Sequence, residues 1–200
     1  MIKYTDLDEN YKGVIFELDN VLFPEKDYDL QVYYLFANFI EYLEHFPPAA
    51  DMVEFVRKRY EIQGKEGMFN EIQQTFGIDN KYSENLDRLF LSAKLPLKLL
   101  LYKESLELLQ ELVINRKHIF ILTSGKAESQ LNKIKQTEWN GLEKYLKVYF
   151  VEEYQSFEEA LQDLKEQHQL EYADLCFVGA TDKDRAYAVA GGIHYFSVKR

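Results

Sequence analysis

The chain has 200 residues, 46% hydrophobic and 15% aromatic, which fits one domain carrying a small insert and excludes general disorder. Its 34 acidic and 24 basic residues give a net charge of −10, which disfavours binding to nucleic acid or to an anionic membrane surface. The single cysteine, Cys176, excludes a disulfide framework and a cysteine-based zinc site. No apolar run is long enough for a transmembrane helix, and residues 1–12 lack the apolar core of a signal peptide. We therefore expect a soluble cytoplasmic protein.

Short apolar runs near the start and in the second half of the chain predict buried strands. They are apolar on both faces, as in a parallel sheet that is covered on both sides. The predicted strands are residues 13–16, 118–123, 147–151, 175–179 and 193–198. Helical patterns at 106–113 and 157–164 lie between them, and Ser156 with Glu159 predicts a capping box. This alternation predicts an α/β fold, a Rossmann-like three-layer sandwich with a parallel sheet.

Residues 25–96 interrupt the alternation and contain no convincing strand. Helical patterns fill this segment at 28–46, 51–64, 67–76 and 83–93. Pro24 precedes it and Pro96 ends it. We expect an α/β core domain formed by residues 1–24 and 97–200, with residues 25–96 as a small helical domain. The aromatic residues of its first helix fit packing between helices, or the lining of a site.

Polar residues follow the predicted strands at their carboxyl ends, where parallel sheets bind ligands. Glu17 and Asp19 follow the first strand, and they could hold a hard cation or divide nucleophilic and acid/base roles. Residues 123–125, Thr-Ser-Gly, offer hydroxyl and N–H groups that suit a phosphate oxygen. Asp182 and Asp184 follow a later strand. All these acids also have a structural interpretation, as a solvated turn or as charges at a helix N-terminus.

Three segments together carry a family resemblance. GVIFELDNVLFPEKDY, HIFILTSGKAESQ and LCFVGATDKDRAYAVAGGI resemble, in order and spacing, motifs one, two and four of the haloacid-dehalogenase-like hydrolase superfamily. The resemblance covers nearly the whole chain. The helical segment lies where a subset of that family has a helical cap over the active site. The resemblance implies a phosphatase-type ancestry and a small phosphorylated metabolite as substrate.

The resemblance assigns roles to individual positions. The family's nucleophilic aspartate corresponds to Glu17, its acid/base aspartate to Asp19, and its phosphoryl-binding hydroxyl to Thr123. These three residues are the expected catalytic group. The expected Mg²⁺ ligands are Glu17, Asp19 and Asp184. We expect substrate binding by Asn20, Ser124 and Gly125.

Three departures from the family pattern weaken this expectation. Glu17 has one methylene more than aspartate, about 1.5 Å, and a misplacement of about 1 Å can cost on the order of 10²-fold in rate. Ala180 replaces an aspartate that binds Mg²⁺ directly, so Mg²⁺ binding should be possible but weakened. The family's third motif supplies a lysine, but residues 151–155 contain none and include two glutamates that would repel phosphate if they face the site. Lys126 or Lys183 could replace the lysine.

Three functions therefore remain open. The first is a phosphohydrolase whose catalysis is impaired or lost. The second is a non-catalytic module that binds a ligand or a protein, with the protein partner unknown. Metal-free dehalogenation is less favoured, because haloacid dehalogenases use an aspartate nucleophile and typically lack the acid/base aspartate retained here as Asp19.

Overall fold

The computed structural model describes residues 2–198. In chain order these residues form β1 (Gly13–Phe16), α1 (Glu25–Glu44), α2 (Ala49–Gln63), α3 (Met68–Phe76), α4 (Ser83–Ser92), β2 (Leu99–Leu100), α5 (Lys103–Ile114), β3 (His118–Thr123), α6 (Ala127–Gln136), β4 (Thr137–Glu138), β5 (Leu146–Phe150), α7 (Phe157–His168), β6 (Leu175–Gly179), α8 (Asp182–Ala190) and β7 (His194–Ser197). Within that range, none of the helices has the length and apolar character needed to cross a membrane.

The chain divides into two compact units. One is helical and comprises Glu25–Lys98, and the other contains the sheets and comprises the described residues up to Pro24 and from Leu99 onward. The second division lies two residues after the expected boundary at 96/97.

The main sheet has five parallel strands in the order β5-β3-β1-β6-β7, flanked by helices. This confirms the predicted α/β fold with a parallel sheet. All four residues of β1 are buried, and Val14 lies between Ile119 of β3 and Cys176 of β6. The Cys176 thiol is buried, and desolvation raises its pKa to about 12. The two-residue strands β2 and β4 pair in a separate small sheet that the sequence did not predict.

One hydrophobic cluster of the sheet-containing unit lies between the sheet and helices α7 and α8. Inward-facing residues of β1, β3 and β6 pack against the apolar face of α7 there, which accounts for the helical pattern predicted at 157–164. The residues of this cluster include Ile15, Phe120, Phe177, Phe157, Leu161, Leu164 and Ala188. At the start of α7 the Ser156 hydroxyl accepts a hydrogen bond from the N–H of Glu159, as predicted, while the Glu159 carboxylate accepts from Gln155 N at 2.7 Å.

In the helical unit, α1 packs against α2 and α4. The fully buried side chains of this unit include Tyr28, Phe36, Ile40, Met52 and Ile72. Of the aromatic residues of α1, Tyr28, Tyr33 and Phe36 are buried, whereas Tyr34 and Tyr42 are exposed. The Arg59 guanidinium closes the turn between α2 and α3, because it donates to the carbonyls of Gly64 and Glu66 and, at 2.8 Å, to Glu71.

Candidate active site

The carboxyl ends of β1, β3 and β6 are adjacent in the sheet and bring the predicted residues together. Phe16, at the end of β1, is aligned with Ile121 of β3 and Val178 of β6. Glu17 follows directly, Thr123 ends β3, and Asp184 lies on the first turn of α8 after β6. The three chain segments that carry the predicted motifs therefore meet at one edge of the sheet.

The Glu17 side chain turns toward the end of β3. It is 7% exposed, and its Oε1 accepts hydrogen bonds from the Thr123 hydroxyl and, at 2.8 Å, from Leu18 N. Its Oε2 accepts from Ser124 N at 3.3 Å. The additional methylene of glutamate lets the carboxyl group reach the turn after β3, so that it contacts two groups expected to bind substrate, Thr123 and Ser124.

Burial dominates the ionisation of Glu17. Desolvation raises the pKa of this carboxyl from 4.5 to about 8, although the hydrogen bonds from Thr123 and Leu18 lower it in part. The nearby charges of Asp19 and Asp184 also raise the pKa and are part of that net value of about 8. The protonated form of Glu17 therefore predominates at neutral pH.

Asp19 pairs with two side chains of α6. Its Oδ2 lies 2.6 Å from Lys133 Nζ and accepts a hydrogen bond from Gln130 Nε2 at 3.1 Å. Its Oδ1 is buried and has no hydrogen-bond partner within residues 2–198. Asn20, with φ of 60°, forms the turn that follows, where its N–H donates to Phe23 O at 2.9 Å.

Asp184 caps α8. Its Oδ2 accepts from Ala180 N and Thr181 N, both at 2.8 Å, while the Thr181 hydroxyl accepts from Asp184 N at 3.1 Å. Gly179 allows this arrangement, because a Cβ at that position would lie 2.5 Å from the Asp184 Cβ. These contacts fit the structural interpretation of Asp184, as a negative charge at a helix N-terminus.

The turn between β3 and α6 holds the remaining predicted groups. The Glu152 carboxylate accepts from Ala127 N at the start of α6, so this glutamate does face the turn. Gly125 is exposed with φ of 105°, and Lys126 is exposed beside it. Lys183, the other expected replacement lysine, has its Nζ 3.5 Å from the Ser124 hydroxyl.

Comparison with known proteins gives the fold. No family model and no curated protein matches the chain. A dehalogenase structure with an intermediate complex has a TM-score of 0.59 at 13% identity and covers 97% of this chain and 87% of its own. A hydrolase from Streptococcus pneumoniae TIGR4 has a TM-score of 0.58 at 15% identity and covers 95% of this chain and 94% of its own. The chain has the haloacid-dehalogenase-like fold.

An L-2-haloacid dehalogenase from Xanthobacter autotrophicus, with chloropropionic acid covalently bound, shares the haloacid-dehalogenase-like fold at a TM-score of 0.53 and 16% identity, covering 94% of this chain and 77% of its own. The predicted fold is therefore confirmed. None of these three structures is named a phosphatase, so the phosphatase-type ancestry stays a prediction. At such identities the likeness concerns the fold alone.

The haloacid-dehalogenase-like fold commonly holds Mg²⁺, but the residues of this site do not fit that ion. Two of the ligands expected from the sequence have other partners at one oxygen: Asp19 Oδ2 pairs with Lys133, and Asp184 Oδ2 accepts from two backbone N–H groups. Glu17 is protonated at neutral pH, and Ala180 offers no side-chain ligand. Within residues 2–198, no three His, Cys, Asp or Glu side chains are placed to hold a metal ion. The Mg²⁺ assignment stays a prediction that these contacts disfavour.

Sequence reasoning missed Lys133 and Gln130. Both are 5% exposed and lie three residues apart on one face of α6. The apolar pattern of α6 instead indicates Leu131 and Ile134 as its inward face, yet Leu131 is 39% exposed. No signal in a single sequence distinguishes the buried lysine from exposed lysines such as Lys135.

Proposed function

We propose that this chain is a haloacid-dehalogenase-like protein of phosphatase-type ancestry in which phosphoryl transfer is impaired or lost. The proposal rests on one observation: hydrogen-bond donors at the turn after β3 donate to carboxyl groups of the protein itself. The Thr123 hydroxyl and the N–H of Ser124 donate to Glu17, and the N–H of Ala127 donates to Glu152. The Glu17 carboxyl thus occupies two of the groups expected to hold a phosphoryl group, Thr123 and Ser124, and Glu152 occupies a backbone N–H group close by in the chain.

Phosphoryl transfer depends almost entirely on positioning and on stabilisation of negative charge. A phosphate entering this turn would have to displace the Glu17 carboxyl and compete with Glu152. It would also approach Asp19 and Asp184. Of the cations near the turn, Lys133 is paired with Asp19, and Lys183 is exposed at 3.5 Å from a serine hydroxyl. The charge balance therefore disfavours a bound dianion.

The protonation of Glu17 also opposes covalent catalysis. A carboxylate attacks phosphorus or carbon through a charged oxygen, and a protonated carboxyl lacks that charge. With its pKa raised to about 8 by burial, Glu17 is mostly neutral at pH 7. This argument applies equally to phosphoryl transfer and to dehalogenation.

Binding without chemistry is the second candidate function. Ala180 and the capping role of Asp184 favour it, because both remove metal-ligating capacity while they leave the fold intact. We propose a protein partner in the cytoplasm rather than a small phosphorylated molecule, because the charge balance at the turn after β3 disfavours a bound dianion.

The test is release of phosphate from a panel of small phosphoesters, with and without Mg²⁺, and release of chloride from 2-chloropropionate. The unchanged chain is compared with the double variant Glu17→Asp, Ala180→Asp, and with Glu153→Gln as an exposed control. We expect no Mg²⁺-dependent turnover by the unchanged chain or the control. Such turnover would contradict the proposal, and activity gained only by the double variant would place the loss at those two positions.

A further inference from the structure

Within residues 2–198, the ion pair between Lys133 and Asp19 is more buried than the other ion pairs described in the sheet-containing unit. Lys133 Nζ lies 2.6 Å from Asp19 Oδ2, and the two side chains are 7% and 16% exposed. Removing both charges from water is costly, so such a pair needs close geometry and further hydrogen bonds. The proposed function does not explain why a lysine is buried here.

Helix α6 supplies both partners of this carboxylate oxygen. Gln130 precedes Lys133 by three residues, which places the two side chains on one helix face. Gln130 Nε2 donates to Asp19 Oδ2 at 3.1 Å and to Ser124 O at 2.8 Å. The glutamine therefore ties Asp19 to the turn after β3, and the lysine supplies the positive charge.

We infer that the ammonium group of Lys133 is the resident cation of this site and takes the place of a divalent ion at Asp19, with Gln130 as a second positioning residue. An ammonium group and a divalent ion on the same carboxylate would repel each other strongly in a partly buried site. A divalent ion at the same oxygen, Asp19 Oδ2, would have to displace Lys133, and an ion at Oδ1 would lie close to the Lys133 ammonium group. This inference does not depend on the loss of catalysis.

The test measures Mn²⁺ binding to the full chain, without substrate, from the electron paramagnetic resonance of free Mn²⁺. Lys133→Met removes the charge and keeps an unbranched side chain that is one atom shorter. The matched control is Lys135→Met, because Lys135 is an exposed lysine of the same helix. We expect Lys133→Met to bind Mn²⁺ about tenfold more tightly than the unchanged chain, since the repelling charge is gone. Lys135→Met should change the Mn²⁺ affinity by much less than tenfold.

Asp19→Asn shows whether Mn²⁺ binds at Asp19 or at other acidic groups of the chain, whose net charge is −10. Added to Lys133→Met, it should abolish the gain in affinity. Equal Mn²⁺ affinity for Lys133→Met and the unchanged chain would overturn the inference, and so would Mn²⁺ binding by the unchanged chain that Asp19→Asn removes. If circular dichroism shows Lys133→Met to be unfolded, Lys133→Gln, which keeps a donor for Asp19, takes its place with the same expected outcome. Turnover of phosphoesters by the unchanged chain would contradict the proposed function and leave this result unaffected.

Discussion

Replacing Glu17 by glutamine should make the protein more stable at high pH. Below pH 4.5 this glutamate is protonated in both the folded and the unfolded chain. Between pH 4.5 and about 8 the unfolded chain loses the proton and the folded chain keeps it, so stability falls as pH rises. At about 1.4 kcal/mol per pH unit, the loss is roughly 3 kcal/mol at pH 7 and roughly 5 kcal/mol above pH 8. Glu17→Gln mimics the protonated carboxyl and does not titrate.

The assay is urea unfolding of the unchanged chain and of Glu17→Gln at several pH values between 5 and 9. The difference in unfolding free energy should grow with pH in favour of the variant up to about pH 8 and then level off. Glu153→Gln, at an exposed position, is the matched control and should show no such growth. A difference that stays constant across this range, or that grows in favour of the unchanged chain, would refute the assignment of a buried protonated carboxyl at Glu17.

Three further substitutions test particular contacts. Thr123→Val removes a hydroxyl that donates to the buried carboxyl after β1, and should lower the unfolding free energy in urea by about 1–3 kcal/mol; no change would argue against that bond. Gly179→Ala would place a Cβ 2.5 Å from the Asp184 Cβ and should cost about 1–3 kcal/mol, so a higher melting temperature would contradict the packing. Arg59→Met should lower the melting temperature more than Arg57→Met, an exposed control on the same helix, and equal effects would dismiss the turn-closing role of Arg59.

The central strands were predictable because burial on both faces leaves a continuous apolar run. Residues 13–16, 118–123 and 175–179 are strands with the predicted bounds. The edge strands differ by one residue, since only one side is paired and the apolar signal is weaker: β5 is Leu146–Phe150 and β7 is His194–Ser197. Helix α1 begins at Glu25, three residues before the predicted start, because its first turn is polar and lacks an apolar period.

The approach of Glu17 to Thr123 was predictable because parallel strands bring their carboxyl ends to one edge of the sheet. The partner of Asp19 was not. Lys133 is buried and forms an ion pair with Asp19, which lies 114 positions away in the chain. The apolar periodicity of a helix carries no information about such a pairing. The same holds for Glu152, whose contact with the first turn of α6 depends on how β3 and β5 lie side by side.

Several backbone N–H groups near the three strand ends are satisfied from within the chain, which bears on what this site can do. A site prepared for an anion leaves backbone N–H groups free for it, and that leaves polar groups unsatisfied until the ligand binds. Here carboxyl groups of the protein accept from the N–H groups of Leu18, Ser124, Ala127, Ala180 and Thr181. Such an arrangement stabilises the ligand-free protein. Any anion that binds at these N–H groups must first break hydrogen bonds that the fold already makes.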